Sequence, residues 1–150
     1  DLLRFARLGV RASVQPAHLL DDRDATHTVW PDRQERSFVF RSLLEAGATL
    51  ALGSDAPVAL LDPWLAISAA VHRSADERPA WNPAQALTPR QALAASVDGQ
   101  RLQVGARGDV VLLDADPLTP WVDSAHAGFF LRSMPVSATI SAGRATHLAL

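Results

Sequence analysis

The chain has 150 residues, 48% hydrophobic and 20% charged, and its 14 basic and 16 acidic side chains give a formal net charge of −2. So even a balance gives no electrostatic drive toward nucleic acid or an anionic membrane, and no apolar run approaches the roughly 20 residues a bilayer crossing needs. With no cysteine, and with all 14 basic residues arginine, disulfides, thiolate metal sites, Cys nucleophiles, Schiff bases and P-loop lysines all drop out, leaving Asp, Glu, His, Ser, Thr and Arg to carry any chemistry.

The chain opens with residues that read as a helix end, Asp1 to Leu8, stopped by Gly9. A short strand over Val10 to Gln15 follows. Asp21 to Asp32 is polar, holds His27 and closes on Pro31, and it reads as a loop. Helix resumes near Arg33, with Phe40, Leu43 and Leu44 at core spacing and Phe38 beside them, and ends at Gly47 before a strand over Thr49 to Leu52. Two strand units joined by a helix indicate α/β architecture. After Gly53 comes an irregular segment, then a helix over Pro63 to His72, then a charged, proline-containing stretch from Arg73 to Pro83. Thr88, Pro89 and Gln91 spell a capping box for the next helix, whose body runs to Ser96.

From Gly99 the pattern shifts to short β-rich runs, Asp109 to Leu113, Val136 to Ile140 and Ala145 to Leu150, the last adjoining Gly143. A boundary is expected near residues 98 to 105, which gives an α/β unit over 1–98 and a β-sheet unit over 99–150.

Gly53-Ser54-Asp55-Ala56-Pro57 leaves the C-terminal end of an apolar strand, the place where parallel α/β sheets put reactive groups. Asp55 is therefore the first candidate, as a metal ligand or as a base toward water; the bland alternative is an Asx-turn. Gln15-Pro16-Ala17-His18 leaves the other strand, so His18 is expected at the same end of the sheet, with a surface or cap role as its alternative. His27 and His72 read as exposed, and His126 and His147 as structural members of the β-rich third. Trp30, Trp64, Trp81 and Trp121 lie in or beside loops, suited to a pocket wall or to packing. The sequence contains no H-x-H, H-E-x-x-H, G-x-S-x-G, G-x-G-x-x-G or P-loop, so these residues alone make no complete catalytic constellation.

The succession LGVRASVQPAH, RSLLEAGATLALGSDAPV, DPWLAISAAVHR, the W-x-P-x-x-ALTPRQAL helix, GARGDVVLLDADPL and SATISAGRATH resembles the C-terminal part of amidohydrolase family 3, within the metal-dependent amidohydrolases. The resemblance runs nearly the whole length. It implies the C-terminal part of a (β/α)8 TIM barrel, with ASVQPAH as strand seven and LALGSD as strand eight, followed by part of a small composite β-sandwich. Asp55 then matches the strand-eight aspartate, which ligates the metal and shuttles a proton, and His18 matches a residue lining the substrate pocket.

The activity so implied is hydrolysis of a non-peptide carbon–nitrogen bond in a small amide by metal-activated water, with a divalent metal, zinc by expectation. The family's other ligands, an H-x-H on strand one, a bridging residue on strand four and histidines on strands five and six, would lie before Asp1. The 150 residues by themselves are accordingly expected to be an inactive, association-prone C-terminal fragment. A cytoplasmic location is expected, with export left open because the chain starts at Asp1, and a homo-oligomer is allowed. The rival from another class is a non-catalytic interaction module that binds no metal.

Overall fold

The computed structural model describes residues 1–149, so Leu150, the end of the last expected strand, lies outside the described residues. The fold is mixed α/β. Strand β1 (Ala12–Val14) and strand β2 (Leu50–Leu52) pair in parallel, Ala12 opposite Leu50 and Val14 opposite Leu52. Ala12 and Leu50 turn inward and are buried. Helix α1 (Leu2–Arg7) precedes β1, and Gly47 passes so near it that a Cβ there would stand 3.3 Å from the Ala6 Cβ.

The crossover between the two strands differs from its sequence reading. Residues 21–29, expected as loop, belong to helix α2 (His18–Val29). That helix buries only Leu19 and Thr26, a stripe too narrow to show as helical periodicity among Asp21, Asp22, Arg23 and Asp24. Conversely, the helix expected from Arg33 is a short 3-10 turn, Gln34–Arg36, followed by α3 (Phe40–Glu45). Phe38 breaks it with a left-handed φ of 52°, a strained conformation for an aromatic residue. Its ring lies edge-on to Trp81 and Phe40, at 5.5 and 6.1 Å between centroids.

Helix α4 (Pro63–His72) forms as its sequence dictates. Asp62 Oδ1 accepts from the Trp64 and Leu65 amides at 2.9 and 3.2 Å, Pro63 fits the first turn, and Arg73 ends the helix with φ 60°. Ala66, Ile67, Ala69, Ala70 and Val71 make most of its buried face. Arg73 is itself fully enclosed: Nε donates to the Trp81 carbonyl at 2.7 Å, and the guanidinium carbon stands 5.3 Å from the centre of the Phe40 ring. Burial lowers its pKa to about 10, which still leaves it charged at neutral pH. Helix α5 (Pro89–Ser96) begins with the expected Thr88–Gln91 capping box.

The final third contains a helix that the β-rich reading lacks. Helix α6 (Ser124–Arg132) starts at Asp123, whose Oδ1 accepts from the His126 amide at 2.9 Å. It runs antiparallel against α4, with Arg132 paired to Asp62 at 2.8 Å at one end and the His72 ring 5.7 Å from Phe129 toward the other. Ser68 Oγ donates to the Gly128 carbonyl at 2.9 Å between them. Around α6, strands β3 (Val110–Leu113), β4 (Val136–Ser141) and β5 (Arg144–Leu148) form an antiparallel sheet in that order. The hairpin turns through Ala142 and Gly143, both at positive φ, as a two-residue primed turn requires.

His72, expected exposed, is buried under α6. Burial lowers its pKa against the opposing pull of Asp123, so folding favours the neutral ring. The resulting stability is fully present above the unfolded imidazole pKa of about 6.5 and is lost as pH falls through the lower folded value. In urea melts between about pH 7 and 5 the wild type should lose stability faster than His72→Leu, and parallel curves would refute this assignment. A Cβ at Gly128 would stand 2.4 Å from the His72 Cβ, so Gly128→Ala should cost about 1–3 kcal/mol in the same assay. A neutral outcome would mean the two helices have room to separate.

Candidate functional site

Both strands of the parallel pair end at the same edge, and their exits lie side by side. The Gly53 amide donates to the Val14 carbonyl at 2.9 Å, which continues the ladder one step past β2 and sets Gly53 next to Gln15. From there the two exits diverge. The first turns within Gln15-Pro16-Ala17-His18, where the His18 amide donates to the Gln15 carbonyl at 3.2 Å, and enters α2. The second passes Gly53 and Ser54 to Asp55, whose backbone adopts a left-handed φ of 54° and whose carbonyl accepts from the Val58 amide at 2.8 Å. Aspartate tolerates that conformation better than most side chains.

Asp55 is exposed, while His18 is half-buried as the first residue of α2. The His18 Nε2 atom is enclosed and has no hydrogen-bond partner among the described residues. An enclosed nitrogen without a partner has lost its water without replacing it. The two exits thus carry a carboxylate exposed to solvent at Asp55, an enclosed imidazole nitrogen at His18 and the Gln15 carboxamide 4.0 Å from where a Gly53 Cβ would be. Gln15 was legible in the sequence only as the lead into His18.

The other candidates stand elsewhere. His27 packs its ring edge-on to Trp81 at 5.7 Å and is half-buried. His126 lies on α6, where its Nδ1 is 2.9 Å from Asp123 Oδ1. The amide of His126, and then its ring, hold the Asp123 carboxyl below the usual carboxylate range. His147 is exposed on β5, and of the tryptophans Trp81 is buried, Trp64 half-buried, and Trp30 and Trp121 exposed. A groove of about 700 Å³ lies at the starts of α5 and α6, with Arg41, Arg90, Trp121 and Asp123 among its lining residues. Its lining includes neither Asp55, His18 nor Gln15, so groove size does not mark the strand-end edge.

Among the described residues, no three His, Asp or Glu side chains gather where they could hold a metal ion. A catalytic zinc takes three protein ligands and keeps one position for water. Asp55 can supply one oxygen donor, so the donor set of these residues does not fit a complete metal centre.

A model of the amidohydrolase family matches residues 1–147. The chain is 42% identical over 95 residues to Protein LONG AFTER FAR-RED 3 of Arabidopsis thaliana, a match covering 61% of this chain and 16% of that protein. It is 26% identical over 129 residues to the protein named "Putative amidohydrolase YtcJ" of Bacillus subtilis (strain 168), covering 76% of this chain and 24% of the other. Among solved structures, an uncharacterized metal-dependent hydrolase from Pyrococcus horikoshii OT3 superposes with a TM-score of 0.59 at 26% identity, over 83% of this chain and 28% of that one. The chain therefore spans no more than 28% of the length of these relatives. From the donor set alone, zinc titrated into the isolated 150 residues should bind without saturating at micromolar metal in calorimetry. Tight stoichiometric binding would show that a ligand cluster forms that the geometry does not contain.

Proposed function

Because this chain belongs to amidohydrolase family 3, whose model spans residues 1–147, we propose that it is the C-terminal part of a metal-dependent hydrolase. The bond cleaved is a non-peptide carbon–nitrogen bond of a small amide. The observation that carries the reading is the placement of Asp55 just beyond the C-terminal end of a parallel strand, beside the exit that leads to His18, where α/β enzymes put their reacting groups. Residues 1–98 would supply the last strands and helices of a (β/α)8 barrel, with β1 as strand seven and β2 as strand eight. Residues 99–150 would form the C-terminal half of a small β-sandwich.

Amide hydrolysis needs a water that loses a proton and a nitrogen that gains one, since an amine leaves poorly as an anion. In this reading an Asp55 carboxylate oxygen takes the proton from the water and returns it to the departing nitrogen. His18 lines the pocket and contacts the substrate. Asp55 would be one ligand of a divalent ion, zinc by expectation, which would supply Lewis acidity, and the other ligands would have to come from outside these residues. The partner is a small-molecule amide; the near-neutral charge gives nucleic acid no purchase, and no described helix is long and apolar enough to cross a membrane. Self-association as a homo-oligomer is compatible with this reading, as is a cytoplasmic location.

A second reading, a non-catalytic interaction module, is favoured by one observation: the described residues hold no three-ligand cluster. The two part at Asp55. In the full-length protein, Asp55→Asn should lower kcat by at least about 10²-fold, the usual contribution of a positioned acid–base group. Because Asp55 is exposed, circular dichroism and the melting profile should stay unchanged. Activity near that of the wild type would reject the assignment.

A further inference from the structure

We propose that the seam between α4 and α6 is an acid-released latch: protonation of His72 detaches α6, and with it the β3–β5 sheet, from α4 while the α/β unit stays folded.

The last third meets the rest of the chain chiefly along this one pair of helices. Past the boundary at residues 98–105, two hydrogen bonds among the described residues join it to the α/β unit, Ser68 Oγ to the Gly128 carbonyl and Arg132 to Asp62, and both lie on the seam. Its buried additions to the common core are Ala127 and Leu131 of α6 and Met134 just beyond, with Leu113 and Ala115 packed beside them. No strand of the β3–β5 sheet pairs with β1 or β2. Whatever loosens α6 therefore loosens the sheet with it, and leaves the hydrogen bonds of the α/β unit in place.

His72 sits at this seam with no room to spare. A Cβ at Gly128 would stand 2.4 Å from the His72 Cβ, and the Phe129 ring centre is 5.7 Å from that of the imidazole. The His72 Nδ1 atom is enclosed and has no hydrogen-bond partner among the described residues. A neutral imidazole can keep its one proton on Nε2, but an imidazolium carries N–H on both nitrogens. Docked, the cation would hold its Nδ1–H against no acceptor; released, it would have water.

The neighbouring charges do not repair this. Asp123 favours the cation but burial outweighs it, and its carboxylate is already engaged by the His126 amide and ring at 2.9 Å. Asp62, at the other end of α4, is paired with Arg132, and Asp76 and Glu77 beyond the helix are exposed. Of the other elements packed on α4, β2 has no charged residue and α5 has Arg90 alone, exposed. Arg73, next in the chain, and Arg41 on α3 are cations turned to main-chain carbonyls. Docking therefore favours the neutral ring: it is strongest above the ordinary imidazole pKa of about 6.5 and weakens as pH falls toward the lower docked value.

Hydrogen exchange read by mass spectrometry on the full-length protein, corrected for the intrinsic pH dependence of exchange, tests the latch. Between about pH 7 and 5 the amides of α6 should lose protection about tenfold, because a detached helix of nine residues is too short to hold itself. Those of α5 and β2 should change less than about twofold. His72→Leu should abolish the pH dependence in α6. Should that variant fail to fold, His72→Phe, which keeps a flat ring against Phe129 and cannot titrate, should do the same. An α6 that stays protected at pH 5, protection lost in step across α5, β2 and α6, or a loss from α6 as steep in either variant as in the wild type would overturn the proposal.

Discussion

The interior is organised around a single buried cation. Arg73 closes α4 in a left-handed turn, and its guanidinium leads away from solvent to the Trp81 carbonyl and the face of Phe40. Taking a guanidinium out of water is costly unless its hydrogens find acceptors. Here Nε and Nη1 donate to the Trp81 and Gln85 carbonyls while Nη2 has no partner among the described residues, so the charge is met in part and by the main chain, which ties its position to the path of the backbone. By holding the 81–85 segment against α3 and α4 it sets Trp81, which in turn receives Phe38 from the crossover and His27 from α2. The crossover is what lies between β1 and β2, and its seating determines whether the two strand exits meet at one edge.

That edge is a partial site in an informative way. The parallel pair brings a carboxylate, an imidazole and a carboxamide to neighbouring turns, yet among the described residues no cluster of potential metal ligands gathers there. A segment that spans no more than 28% of its relatives would be expected to hold some of a site's groups and not others. Barrel enzymes in particular draw catalytic residues from the ends of several different strands. Under the hydrolase reading proposed above, an incomplete donor set beside well-formed strand ends is what such a division among strands would give.

Much of this was legible in the residues. Helix α4 and helix α5 announce themselves through Asp62-Pro63 and Thr88-Pro89-Arg90-Gln91, because capping is a local transaction between a side chain and amides a few residues away. The two parallel strands show as short apolar runs, and the positions of Asp55 and His18 follow from them. Helix α2 escaped because its buried stripe is little more than Leu19 and Thr26, so its polarity looked like that of a loop. Helix α6 escaped because no element was expected between the runs at Asp109 to Leu113 and Val136 to Ile140, and its start is marked only by the Asp123 cap. His72 was misplaced for a related reason: its burial comes from Gly128, fifty-six positions later in the chain, and no local pattern reports that contact.

Asp62 has its two oxygens assigned to different tasks. Oδ1 opens α4 by taking two amides, and Oδ2 holds Arg132 at the far end of α6. Serine, threonine or asparagine could do the first, and glutamate could reach for the second, but only aspartate is short enough to cap and charged enough to pair. Neither task is individually demanding, since a cap is worth about 1 kcal/mol and a partly exposed ion pair less. Their coincidence at one position nevertheless narrows what substitution can leave unharmed there to the residue already present, so the tolerance of this site is set by the intersection of two weak requirements and not by the strength of either.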